Sequence, residues 1–439
     1  MMSTPAVAEG RFSPEAFTTF LAARDEPAWL VALRREACDA FAAMDLPDRT
    51  QEEWMRTDLR AFSLEAFGPC EPVGSEVDLP ASLLAEGVDL AGGDTSVSGH
   101  PAGTSLADDV AQQGVLFGSL DDLVRRHGDR LRPYLERRLV DFRADKFAAL
   151  SAAFWSAGTL LYVPRGVVVE EPLHMLAALT PGGADLGRTL VVLDEDAEAT
   201  LLAETASSDP AAAGLHCGTI EIFVGRRARL RYVNLQNWGT GVWHFAQQKA
   251  TLDRGASLQW TIGALGGRLA QVRQHVSLDG EGAEAQVNGV VFTEGRQHLA
   301  YHTRQDHRAG YCRSDLLYKG ALQDKSRVVW RGMIHVDPGA MKTDAYQRND
   351  NLILADTARS DSIPGLEILA DDVRCTHGST IGRVDDELIF YAMSRGLSRK
   401  EAVRMVVTGF FQQVFDRITI PSVRQALGEA IGRRVRAYT

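Results

Sequence analysis

Cysteine is scarce in this chain of 439 residues: Cys38, Cys70, Cys217, Cys312 and Cys375 are scattered, and no CxxC occurs. Zinc and iron–sulfur sites within one chain normally take three or four ligands, and small secreted folds need a disulfide framework, so neither is expected here. Apolar runs approaching the roughly 18 residues of a membrane span are missing. The opening MMSTPAVAEGRFSPEAF lacks the basic-then-apolar order of a secretory signal, which points to a cytoplasmic protein. GxxxxGK[ST], GxSxG and HExxH do not occur, and no GxGxxG follows a strand, so no nucleotide site of its own and no common hydrolase centre is expected. Excess positive charge is absent as well: the net charge of −11 argues against broad attraction to nucleic acid or an anionic membrane. The basic tail GRRVRAY, Gly432 to Tyr438, reads as a complement to a helix dipole.

With 45% hydrophobic and 24% charged residues, the composition is that of a soluble globular protein. Its length suggests about three domains or one elongated repeat domain. From Ser13 to about Phe67 the pattern is helical, with Ser13-Pro14-Glu15 as one cap and Thr50-Gln51-Glu52-Glu53 as a capping box. Cys70 to Ser119 reads as a loose connector or small α+β segment, and Leu131 to Trp155 as a second helical stretch.

From Thr159 to Val373 short β-rich runs alternate with turns. Similar turns recur as LDEDAEA, VGRRARL, LDRGASL, LDGEGAEA and VDPGAMK. Their alanines, Ala197, Ala228, Ala256, Ala283 and Ala340, are spaced 31, 28, 27 and 57 residues apart, the last close to two periods. Stacked coils that bury their apolar faces only against neighbours, a β-solenoid, fit this period better than the roughly 40 to 45 residues of a propeller blade. The open ends of such a stack need covers, which the flanking helical segments could provide.

After Gly382 the pattern is helical again. Asp385 opens one helix, Ser398 to Glu401 is a capping box for a second, and Ser422 after Pro421 caps a third. Phe390, Tyr391, Val403, Val406, Val407, Phe410, Phe411, Val414 and Phe415 exceed what one short helical domain buries within itself. They pack either on the solenoid end or against another protein.

Two groups of residues are candidates for chemistry. Cys375 and His377, two apart in an extended segment, share a face and would present a thiolate and an imidazole to one metal or partner, or else be a small buried hydrophobe and a turn residue. Two ligands do not close a site, so a partner would have to supply the rest. His298, His302, His307 and Cys312 are ligand-like in type but fit no compact metal site. His298 and His302 share a strand face, and His307 falls on the other unless a bulge intervenes. A cytosolic β-helix enzyme using this second cluster is the alternative reading.

Several segments together resemble the SufB/SufD family of iron–sulfur assembly proteins, its SufD branch in particular. They are Glu52-Glu53-Trp54; KFAALSAAFWSAGTLLYVPRGV from Lys146 to Val167; and QRNDNLILADTARSDSIPGLEILADDVRCTHGSTIGRVDDELIFYAMSRG from Gln347 to Gly396. The chain departs from the commonest HGAT form with Ser379. The resemblance implies a mainly β fold: a right-handed parallel β-helix (β-solenoid) core over 159–378 between N-terminal (1–158) and C-terminal (379–439) helical regions. It also implies a non-catalytic scaffold that pairs with a SufB-like protein through the β-helices and binds a SufC-like ATPase through its C-terminal helices. A transient Fe–S cluster would be shared with SufB, with His377 as ligand or interface residue and Cys375 as a weaker candidate. Asp385, Phe390, Tyr391, Ser394, Arg395 and Gly396 match the segment leading into the SufC-binding helices. Flavin accompanies some assembled complexes of the family, and no residue here marks a site for it. Pairing of two copies of the chain when SufB is absent stays open.

Overall fold

The computed structural model describes residues 11–69 and 79–435. Cys70 and residues 436–438 of the basic tail lie outside them. Helices α1 (Pro14–Ala22) and α2 (Ala28–Ala43) come first. A hairpin of β1 (Gly92–Val97) and β2 (His100–Leu106), the short α3 (Asp108–Gln112), β3 (Leu116–Ser119), α4 (Leu120–Arg137) and α5 (Lys146–Phe154) follow. The solenoid then winds between two sheets. One takes β5 (Leu173–Leu179), β8 (Glu198–Ser207), β10 (Arg229–Asn237), β12 (Ser257–Ala264), β14 (Glu284–Thr293), β16 (Arg313–Leu322), β18 (Asp344–Ile353) and β20 (Arg374–Arg383). The other takes β4 (Thr159–Val163), β7 (Arg188–Leu193), β9 (Ala213–Val224), β11 (Gly241–Leu252), β13 (Leu269–Leu278), β15 (His298–His307), β17 (Arg327–Val336) and β19 (Arg359–Ile368). The two-residue β6 (Ala184–Asp185) pairs beside β9. Helices α6 (Asp386–Ser394), α7 (Arg399–Phe415) and α8 (Pro421–Arg434) close the chain.

The turn alanines explain the winding. Ala197, Ala228, Ala256 and Ala283 each precede a strand of the first sheet and are fully or almost fully buried, where a larger side chain would fill the corner. Their carbonyls accept from the residue one coil onward: Arg229 N to Ala197 O is 2.8 Å, and Ser257 N to Ala228 O is 2.9 Å. The next two corners use Cys312 and Thr343, whose carbonyls take Asp344 N at 3.0 Å and Arg374 N at 2.8 Å. The long step in the sequence is therefore two coils. Ala340 sits three residues early in its turn, its carbonyl accepting from Thr343 Oγ1 at 2.8 Å.

Strand pairing within the coils is parallel and in register, so every second side chain enters a shared interior filled by Tyr232, Trp260, Tyr318 and Trp330. Gly289 belongs to that interior. A Cβ there would lie 2.3 Å from Tyr318 Cδ1. Gly289→Ala is expected to destabilise the fold by about 1–3 kcal/mol, read as a lower denaturation midpoint; an unchanged midpoint would mean that the ring is free to move.

The two ends of the stack differ. At the first, antiparallel β2 covers β1, which itself pairs with β5, and antiparallel β3 covers β4. At the last, β19 and β20 are terminal in their sheets, and among the described residues no further strand pairs with them. The C-terminal helices do not cover this end, contrary to one expectation from sequence. Val403, Val407, Phe411 and Val414 instead pack on the outward side chains of the first sheet, Val290, Phe292, Leu317 and Leu352 among them. Lys319 Nζ donates to Phe410 O at 3.0 Å, and Arg417 donates to Asp315 O at 3.1 Å, which pins α7 and the turn after it to β16. The apolar outward face of β14, β16 and β18 attracts the helices.

Other caps divide. Ser13 Oγ accepts from Ala16 N at 3.1 Å, and the Ser398–Glu401 box forms as read. Thr50 to Glu53 opens no helix: Asp48 takes Thr50 N at 2.8 Å, and residues 51–56 are turns that tuck Trp54 into the core. Ser422 is not a cap either, since α8 begins at Pro421 with Ile420 before it and no side-chain cap bond. The stretch from Leu131 to Trp155 holds the end of α4, a break, and α5. No helix among the described residues is long and apolar enough to cross a membrane.

Candidate functional site

Cys375 and His377 both lie on β20, the last strand of the stack. Register fixes their direction. Cys375 continues the column Ala285, Ser314, Ala345, and His377 continues Val287, Leu316, Gln347, both of which point into the solenoid. Elsewhere such positions are sealed by the next coil, but none follows here, so Cys375 is half-buried and His377 exposed. Beneath His377, Gln347 is fully buried and donates to Gly365 O at 2.8 Å, while its Oε1 has no partner among the described residues. Ser379, the departure from the usual motif, donates to Ser362 Oγ at 2.7 Å and so ties β20 to β19.

The chemistry of the pair is incomplete. Burial raises the Cys375 thiol above its ordinary value, so the free chain holds a thiol rather than a ready thiolate ligand. Among the described residues no three His, Cys, Asp or Glu side chains converge as a metal site. The His377 imidazole has no hydrogen bond or ion pair to another described residue. A ligand at this end therefore meets one free imidazole, one protonated thiol and unpaired strand edges.

The six matched residues before and within α6 divide by role. Asp385 Oδ1 accepts from Glu387 N at 2.8 Å and caps the helix. Ser394 Oγ donates to Tyr391 O at 2.7 Å, and Gly396 takes φ +96°, a conformation that side chains rarely adopt, to end it. Arg395 lies 5.2 Å from the Tyr391 ring centroid. Those four shape the helix. Phe390 and Tyr391 are its surface, 74% and 58% exposed, and Leu388 and Met393 of α6 and Met405 of α7 are exposed apolar side chains as well.

The second cluster does not assemble. β15 runs without a bulge, so His298 and His302 face outward while His307 faces inward and meets Ser314 Oγ at 2.8 Å. Cys312 fills the corner position of the turn alanines, its Sγ donating to Gly280 O at 3.3 Å. Burial pushes His298 and His307 down to about 4 and His302 to about 3, which keeps all three neutral at physiological pH. Outward, inward and corner placements remove the shared centre that the β-helix enzyme reading requires.

The fold is thus a β-solenoid, closed at one end and flank and open at the last coil and at α6. The SufBD core domain of the SUF system for FeS cluster assembly matches residues 177–410, and the SufBD protein N-terminal region matches residues 97–175. The chain belongs to the SufBD family of iron–sulfur cluster assembly proteins. It is 27% identical over 405 residues to the iron–sulfur cluster assembly protein SufB of Bacillus subtilis strain 168, covering 89% of this chain and 86% of that one. An iron–sulfur cluster assembly SufBD family protein of Staphylococcus epidermidis ATCC 12228 is 26% identical over 401 residues with the same coverage.

Proposed function

We propose that this chain is the SufD-type, non-catalytic scaffold subunit of a cytoplasmic cluster assembly complex. It pairs with a SufB-like partner through its uncovered last coil, and it carries a SufC-like ATPase on the apolar face of α6 and α7. A nascent Fe–S cluster, the cargo of the complex, forms where the two solenoids meet. His377 supplies a ligand there, and Cys375 does so once metal binding displaces its proton to solvent. The observation that carries this reading is the open end itself: inward-pointing columns that terminate at Cys375 and His377, between unpaired parallel edges. A partner strand laid on those edges would satisfy them and bring the missing ligands.

Ile381, 51% exposed on β20 two strand positions past Ser379, lies in the proposed contact. Ile381→Asp is expected to leave the fold intact and to weaken association with the SufB-like partner by roughly tenfold or more, since a charge would be buried without a partner. Co-purification in unchanged yield would place the pairing surface elsewhere.

A further inference from the structure

The outward face of the second sheet holds a basic block. Because β11, β13, β15 and β17 pair in register, Arg273, His302 and Arg331 lie side by side in one row, and Lys249, His275 and Arg304 in the next. Arg273, Arg331, Lys249 and Arg304 carry the charge of this block, since burial keeps the His302 ring neutral and lowers the pKa of His275. The block floors a cleft of about 330 Å3, walled by Glu53 and the loop 139–144 between α4 and α5.

Carboxylates answer only part of this charge. Arg273 pairs with Glu53 and, at 3.1 Å, with Asp145; Arg331 meets Glu52 at 2.7 Å. Arg304 and His275 share Asp306, each at 2.6 Å, and Asp141 lines the wall. Lys249 is the cation left over. The Lys249 ammonium makes no hydrogen bond or ion pair with another described residue; burial lowers its pKa, Arg308 and Arg304 add to the effect, and Asp306 and Asp279 oppose it.

His302 is a donor without an acceptor. Thr57 Oγ1 donates to Gln271 Oε1 at 2.8 Å and Gln271 Nε2 donates to Glu53 O at 3.2 Å, which fixes the amide orientation. Gln271 Nε2 also lies 3.4 Å from His302 Nε2. An amide nitrogen only donates, so His302 Nε2 accepts and the proton of the neutral ring sits on Nδ1. That Nδ1 is buried with no partner among the described residues.

We propose that this cleft binds the phosphate group of a small molecule, which Lys249 neutralises beside the His302 ring. Arg304 and Arg331 close on it from the rim. The volume exceeds what bare phosphate needs and is at the lower end of small-molecule sites. The proposal does not rest on the cluster-assembly reading.

Isothermal titration of the full chain with inorganic phosphate and with ADP, at ionic strength held constant by chloride, tests it. Saturable binding is expected for at least one of them. Lys249→Gln should weaken it roughly tenfold or more, while Lys249→Arg retains it. Equal affinity for the two probes means that the phosphate group alone is read, and tighter ADP binding means a nucleotide. Should Lys249→Gln fail to fold, Arg304→Gln at the exposed rim must weaken binding in the same way. Absence of saturable binding by either probe, or affinity unchanged in the folded variants, overturns the proposal.

Discussion

Acidification from pH 7 to pH 4 is expected to unfold this protein, because histidines enter the fold as neutral rings. Burial holds His216 and His302 down to about 3, and His298 and His307 to about 4. An unfolded histidine takes up its proton near pH 6.5. Between about 6.5 and 4 the unfolded state therefore binds protons that the folded state refuses, and stability falls as the pH falls. Each site contributes up to about 1.4 kcal/mol per pH unit in that window. Four together remove most of a stability of about 5–15 kcal/mol within two units. Thermal midpoints measured from pH 7 to 4 should drop steeply, and His307→Gln should make the drop shallower. A flat profile down to pH 5 would mean that these rings are not buried as neutral species.

The second large effect concerns α6. Phe390→Ala combined with Tyr391→Ala is expected to lower affinity for the SufC-like ATPase by at least roughly 30-fold, as central aromatic anchors do. The melting temperature should barely move, since both rings are mostly exposed and contribute little to the core. The buried neighbour Phe411 gives the contrast: Phe411→Ala costs about 3–5 kcal/mol of folding stability and loosens the helices from the sheet. Unchanged ATPase retention in the aromatic double variant would remove α6 from the docking surface.

The solenoid was readable in the sequence because its corners demand a small buried residue at a fixed interval, and alanine repeats there four times. The interval blurred where Cys312 and Thr343 meet the same steric demand with different chemistry. That substitution also made Cys312 look like a metal ligand, although a corner position allows it no approach to His298 or His302. Local signals failed where tertiary contacts decide: Thr50 to Glu53 has the letters of a capping box, but Trp54 is drawn into the core and the chain turns instead. The packing of the C-terminal helices on a flank depends on which strand residues point outward, and this emerges only once the register is known. The basic block was missed for the same reason. Its members are far apart in sequence, and only spacing by whole coils, as from Arg273 to His302 to Arg331, signals that they meet. Cys375 and His377 were visible as a pair, whereas the absence of a coil above them was not.

The most direct test is iron and acid-labile sulfide content, with the absorption spectrum, of the complex purified anaerobically with its SufB-like and SufC-like partners, comparing wild type with His377→Ala. The expected result is an intact complex in both cases and a cluster lost or strongly diminished in the variant. An intact complex with equal iron and sulfide would contradict His377 as a shared ligand, and failure of the wild-type chain to form any complex would contradict the scaffold assignment itself.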